Sequence, residues 1–324
     1  MIQRRKFLIA TGLALAAPLA RAQPAKANRV AWLALVTEKG GASFLQTFLE
    51  GMGSHGYALG QNLVVDVRYG NDSRDTLDRL AVEAAALKPA VFVTVGPALH
   101  AARKAHGEVP VVFGFSGDPV ELGVAQSFAR PGGRFTGVTF LAYELSAKRV
   151  ELIREILPGA KRIAVLSRPS HAGDRKEFEA THAAAKKFGF AVTHHPAEDP
   201  IELERALAAA AAAGAEAIVI HPDGLMVQQR DVIGRFSLQR RIPAVSGWES
   251  IAEGGALVTY GPVQREAYRR LAYYVDRILR GANPGDLPVE LPAKLQTVVN
   301  LKTAKALGLV IPQSILVRAD RIIQ

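Results

Sequence analysis

Six short stretches of this 324-residue sequence carry most of the side chains that could meet a ligand: Thr37 to Ser43, Thr94 to Ala98, Phe115 to Pro119, Ser167 to Gly173, His221 to Gly224, and Ser246 to Glu249. Each follows an apolar run and precedes a helical one, and in an open parallel sheet ligands sit beyond the carboxyl ends of the strands, at such loops. Gly96 before Pro97 would let an anionic group such as a carboxylate approach backbone amides at a helix start; alternatively the Gly-Pro pair only turns the chain. Ser116 and Asp118 can donate to a ligand oxygen or accept from an ammonium, although Asp118 is equally suited to cap a helix that has Pro119 in its first turn. Trp248 can stack on an apolar or aromatic ligand, or cover a hinge between lobes. Tyr143 and Tyr260 fall near the expected crossings between lobes, where a phenol faces the cleft or packs.

Catalytic chemistry finds little support. The sequence has no Gly-x-Ser-x-Gly elbow, Walker A loop, dinucleotide fingerprint or His-Glu-x-x-His pair. Zero cysteines exclude a disulfide framework, a thiolate metal site and a cysteine nucleophile together. His194 and His195 are adjacent on an expected strand and so point to opposite faces; together with His171 they read as solvated histidines, not metal ligands. No metal and no cofactor are expected. The formal charge of +10 falls to +6 once Arg4, Arg5, Lys6 and Arg21 of an N-terminal leader are set aside. The remaining Lys and Arg are scattered and aromatics make up only 7%, which excludes a nucleic-acid surface.

The elements that must position those loops are written twice. Val30-Ala31-Trp32-Leu33 recurs as Ile163-Ala164-Val165-Leu166, His55-Gly56-Tyr57 as Phe188-Gly189-Phe190, and Val109-Pro110-Val111-Val112 as Ile242-Pro243-Ala244-Val245, at one common offset of 133 residues. Each copy alternates short, wholly apolar runs with helical stretches, the pattern of a parallel sheet buried on both faces. The spacing predicts strands at Val30 to Leu35, Asn62 to Tyr69, Ala90 to Val95, Val109 to Phe115, Arg162 to Ser167, Phe190 to Thr193, Ala217 to Ile220 and Pro243 to Ser246. Helices are expected near Ser43 to His55, from Asp118, over Leu225 to Gln239 and over Val263 to Arg280, the last with Tyr268, Leu271, Val275 and Ile278 on one face. The fold class is therefore α/β, two lobes with parallel sheets enclosing a cleft. With no long linker, the lobes should be joined by a hinge of several crossings.

Met1 to Lys6 is basic, Phe7 to Leu19 apolar, and Ala20-Arg21-Ala22 fits a small-x-small cleavage site, together a secretory signal peptide. Arg4-Arg5-Lys6-Phe7-Leu8 resembles a twin-arginine export signal. The expected organisation is a leader over 1–22, a first lobe from 23–140 with roughly 263–290, and a second from 141–262 with roughly 291–324.

Phe115-Ser116-Gly117-Asp118-Pro119-Val120, Ala129-Arg130-Pro131-Gly132-Gly133, Gly137-Val138-Thr139-Phe140, Ala147 to Ile153 and Asn300 to Leu309 with Ile311-Pro312 resemble the ABC-transporter substrate-binding proteins of the tryptophan/tyrosine-binding type. The resemblance spans the mature chain. It implies a type I periplasmic binding protein fold of two Rossmann-like lobes joined by three crossings, no catalytic activity, and a periplasmic monomer that hands a small ligand to an ABC permease and its ATPase subunit. The ligand it implies is an amino acid or small carboxylate, aromatic ones included. By motif match, ligand contacts would come from Gly96, Pro97, Ser116, Asp118, Phe140, Tyr143, Ser167, Ser170, Asp223 and Trp248. The sequence departs from the family pattern at Thr37 to Gly41 and at Ser167-Arg168-Pro169-Ser170, where relatives more often carry Asn-Pro. The competing readings are a periplasmic ligand sensor on the same fold and, from the enzyme class, an α/β hydrolase.

Overall fold

The computed structural model describes residues 27–140, 142–171 and 173–324, so the leader read at 1–22 lies outside the described residues. The first lobe runs β1 (Asn28–Ala34), α1 (Glu38–Ser54), β2 (Leu63–Tyr69), α2 (Arg74–Ala86), β3 (Val91–Val95), α3 (Ala98–Ala105), β4 (Val111–Phe115) and β5 (Phe135–Thr139). These strands form one parallel sheet in the order β2-β1-β3-β4-β5. In β1, Val30, Trp32 and Ala34 pack into the core on one face while Ala31 and Leu33 pack into a separate core on the other. That period-two division of an unbroken apolar run is what burial on both faces requires.

The second lobe runs α4 (Ser146–Ile156), β6 (Arg162–Ser167), α5 (Asp174–Lys187), β7 (Ala191–Pro196), α6 (Pro200–Ala212), β8 (Ala217–Ile220), α7 (Gly224–Gln228), α8 (Arg230–Arg240), β9 (Ala244–Ser246), α9 (Glu249–Glu253) and β10 (Val258–Pro262). The chain then returns to the first lobe as α10 (Gln264–Leu279), which lies across α1 and against β3, β4 and β5. It finally re-enters the second lobe as β11 (Leu295–Asn300), α11 (Leu301–Leu307), α12 (Gln313–Arg318) and β12 (Arg321–Ile323). The second sheet has the order β12-β11-β10-β9-β8-β6-β7, with β10 and β11 antiparallel and every other pair parallel. The chain thus passes between lobes after β5, after β10, and after Glu290, whose backbone is paired beside β5 at Gly137 and Thr139.

The repeat has a structural cause. Its strand segments fall in β1 and β6, and its Gly56 and Gly189 both follow a helix with left-handed φ of 88° and 75°. Both close the helix with the conformation glycine adopts most readily.

Two expected helices differ. Residues from Asp118 form a turn, not a helix, with Val124 donating to the Pro119 carbonyl at 3.0 Å; Asp118 still caps it, accepting from Val120 at 2.8 Å and Glu121 at 3.3 Å. The stretch Leu225 to Gln239 is two helices, α7 and α8, broken at Gln229.

Candidate functional site

A cavity lies between the lobes, at the carboxyl ends of the strands of both sheets. The first lobe lines it with Phe44 from α1, Gly96 and Pro97 after β3, Phe115 and Ser116 at the end of β4, and Tyr268 from α10. The second lobe supplies Arg168, His171, Asp223 and Trp248, and Phe140 enters from the first crossing. Two aromatic pairs define the walls. Phe44 stacks on Tyr268 at 4.7 Å and 14°, and Phe140 meets Trp248 edge-on at 5.7 Å and 70°.

The polar end is a buried charge cluster centred on Asp223. Its Oδ1 accepts from the Leu225 amide at 2.8 Å, capping α7, and from Arg168 at 3.3 Å, while its Oδ2 accepts from His171 Nδ1 at 2.9 Å. Burial alone would push the Asp223 carboxyl up, but the His171 hydrogen bond, the Arg168 guanidinium and the Leu225 amide outweigh it and hold the group well below the ordinary carboxylate range. Burial would likewise push the His171 imidazole down. The Asp223 hydrogen bond and charge, with Glu177 and Asp174 beyond, reverse that and hold it above its usual value. Arg168, only 1% exposed, also reaches Glu198 at 3.3 Å in its own lobe and Asp72 at 3.2 Å in the other.

That last contact is one of several that draw the lobes together. Arg74 donates to the Ser170 carbonyl at 2.8 Å, Thr37 to Gln228 at 2.9 Å, and Lys176 pairs with Glu121. At Gly173 the φ of +97° disfavours a side chain, and a Cβ would lie 3.2 Å from the Gly117 Cα, a tight approach of the opposing backbones.

The cavity gathers six of the ten residues singled out from sequence: Gly96, Pro97, Ser116, Phe140, Asp223 and Trp248. Gly96 does so with a difference. Its φ is +57° and a Cβ would have no neighbour within 4 Å, yet its amide is spent on the Gly114 carbonyl at 2.8 Å and is not free for a ligand. The other four lie elsewhere. Ser167 donates or accepts within its own lobe at His194 Nε2, 2.8 Å away, and Ser170 is buried beside Glu198, which accepts from its amide at 2.6 Å. Asp118 and Tyr143 line an outer groove with Glu121, Asp174 and Lys176, whose ammonium sits over the Tyr143 ring.

Sequence reasoning missed Phe44, Arg168, His171 and Tyr268. The reading of His171 as solvated is corrected: it is 6% exposed and bonded to Asp223. His194 and His195 do diverge, the first toward Ser167 and the second toward Thr193 at 2.9 Å. Among the described residues, no group of three or more His, Asp and Glu side chains is placed to hold a metal ion.

Two lobes of parallel sheet, three crossings and a cavity between strand ends define a type I periplasmic binding protein fold. Comparison with known proteins agrees. Residues 29–323 match the ABC transporter substrate binding protein family, and the chain belongs to it. It is 24% identical over 264 residues to a tyrosine-binding protein of Clostridioides difficile strain R20291, covering 81% of this chain and 75% of that one. Among solved structures it is similar to a conserved domain protein from Vibrio cholerae O1 biovar El Tor, with a TM-score of 0.85 at 27% identity over 92% of this chain and 100% of the other. It is also similar to an ABC domain in complex with L-Trp from Streptococcus pneumoniae, with a TM-score of 0.83 at 21% identity over 92% and 100%.

Proposed function

We propose that this substrate-binding protein captures a small organic molecule, with a flat apolar body and a carboxylate end, in the cavity between its lobes and delivers it to an ABC permease with its ATPase subunit. The observation that carries this reading is the cavity itself: its lining includes two aromatic pairs from different parts of the chain, together with Ser116 and the Arg168–Asp223–His171 cluster. Aromatic surfaces supply apolar burial to a flat ligand, and a few fixed polar groups set its orientation. The tyrosine-binding relative and the neighbour solved with L-Trp support a ligand of amino-acid size, amino acid or small carboxylate.

Capture would shift the lobes toward the closed arrangement through contacts made to both, and the permease would read that arrangement. The leader at 1–22 supports export to the periplasm, where the protein would work as a monomer and without turnover. Thermal shift across amino acids and small carboxylates tests the reading. A ligand at about 100 times its dissociation constant should stabilise the protein by about 2.7 kcal/mol and be recovered chemically unchanged. Recovery of an altered molecule would contradict it.

A further inference from the structure

The cavity offers hydrogen-bond donors without partners and a carboxylate already paired with two cationic side chains. Ser116 Oγ, His171 Nε2 and Trp248 Nε1 are buried, belong to residues that line the cavity, and have no hydrogen-bond partner among the described residues. Ser116 is 2% exposed, Trp248 4% and His171 6%. An indole nitrogen only donates, a hydroxyl can donate, and an imidazole whose Nδ1 already donates to Asp223 donates from Nε2 when protonated. A buried donor left unmatched is costly, so these three call for acceptor atoms on whatever fills the space.

The opposite partner is missing. Asp223 is the one carboxylate among the cavity-lining residues, and it stands between two cationic side chains with both oxygens engaged by Arg168, His171 and the Leu225 amide. Asp72 and Glu198 sit against the guanidinium of Arg168 without lining the cavity. An α-ammonium here would have to share Asp223 with two cationic side chains, Arg168 and His171. A ligand carboxylate meets the reverse arrangement.

Resting on the cavity as the ligand site, we infer that the corner formed by Ser116, His171 and Asp223 receives the carboxylate of an aryl- or alkyl-substituted acid that carries no α-amino group. Asp223 is then a positioning residue, orienting His171 so that Nε2–H faces the ligand. The groups around His171 agree with that role. Asp223 accepts from it at 2.9 Å, the charges of Glu177 and Asp174 from α5 act on it, Arg168 shares Asp223 with it, and Ser116 lines the same cavity. Those three carboxylates favour the imidazolium, so binding of the acid should weaken as pH rises and the imidazole loses its second proton.

Calorimetric titration of the purified protein tests this with matched probes: 3-phenylpropionate against L-phenylalanine and phenethylamine, and indole-3-propionate against L-tryptophan and tryptamine. The amine-free acids should bind at least about tenfold more tightly than the amino acids, as expected when one ligand must bury an unmatched charge, and the amines should not bind. Ser116→Ala should weaken the acids by roughly fivefold, the loss of one neutral hydrogen bond, with the fold intact. His171→Gln should weaken them further and abolish the decline in affinity as pH rises above the ordinary imidazole range. Tighter binding of L-phenylalanine or L-tryptophan than of its amine-free counterpart overturns the assignment, as does affinity for the acids that ignores both pH and Ser116→Ala. Failure of every probe to bind overturns the parent reading of the cavity instead.

Discussion

The two lobes contribute different physics to one cavity. Every charged side chain that lines it, Arg168, His171 and Asp223, comes from the second lobe, whereas the first supplies Phe44, Phe115, Tyr268, small residues and the hydroxyl of Ser116. The charges are fixed to one another within a single lobe, by bonds of 2.9 to 3.3 Å around Asp223, and Asp72 of the first lobe adds one bond to Arg168 at 3.2 Å across the cleft. On the proposed function this division would suit a binding cycle, because a preassembled charge cluster would not need rebuilding each time the lobes part, while apolar contact is non-directional and tolerates repeated separation.

The harshest challenge to this division is Asp223→Ala. Removing the carboxylate deprives the buried Arg168 and His171 of the anion they share, leaving Arg168 only Asp72 and Glu198, and deletes the cap of α7, so folding stability should fall by about 3 to 5 kcal/mol, read as an earlier urea midpoint. A loss below about 1 kcal/mol would mean that the cluster is not assembled within the second lobe.

Asp72→Asn probes the contact that couples the two lobes. Asp72 has φ of 62°, a conformation asparagine tolerates, so the backbone should be unaffected. What is lost is the charged partner of Arg168 across the cleft, and ligand affinity should drop about tenfold, or about 1.4 kcal/mol, with little change in melting temperature. Undiminished affinity would show that Arg168 serves the second lobe alone. The smallest effect is expected at Asp118→Asn. Asp118 caps a turn in the outer groove, asparagine caps as well, and both affinity and stability should stay within about 0.5 kcal/mol of the parent protein.

The sequence made the architecture legible and the site only by its loops. The repeat survives as β1 against β6 and as paired glycine helix ends because strand burial and left-handed helix caps constrain residue type locally. The loops leading to the cavity were legible for the same reason, being strand exits. Which side chain in each loop turns inward is a tertiary matter. In Ser167 to Gly173 the hydroxyls drew attention, yet Ser167 turns to His194 while Arg168 and His171, whose types usually seek solvent, are the buried ones. The available signal was Asp223, an acidic helix cap in the neighbouring strand exit that could pair with cations from that loop. Tyr268 lies on the apolar face of α10 that the periodicity predicts, in a segment expected in the first lobe; that its ring stacks on Phe44 and so reaches the cavity is a tertiary contact that residue periodicity does not encode.

The central claim is that the ligand sits between the lobes, held by the second and covered by the first. A crystal structure of the protein with the tightest ligand from the calorimetric series tests it most directly. The account predicts the ligand between the Phe44–Tyr268 and Phe140–Trp248 pairs with its polar end at Ser116 and His171. A ligand found instead in the outer groove of Asp118, Tyr143 and Lys176, with the inner cavity empty, would contradict it.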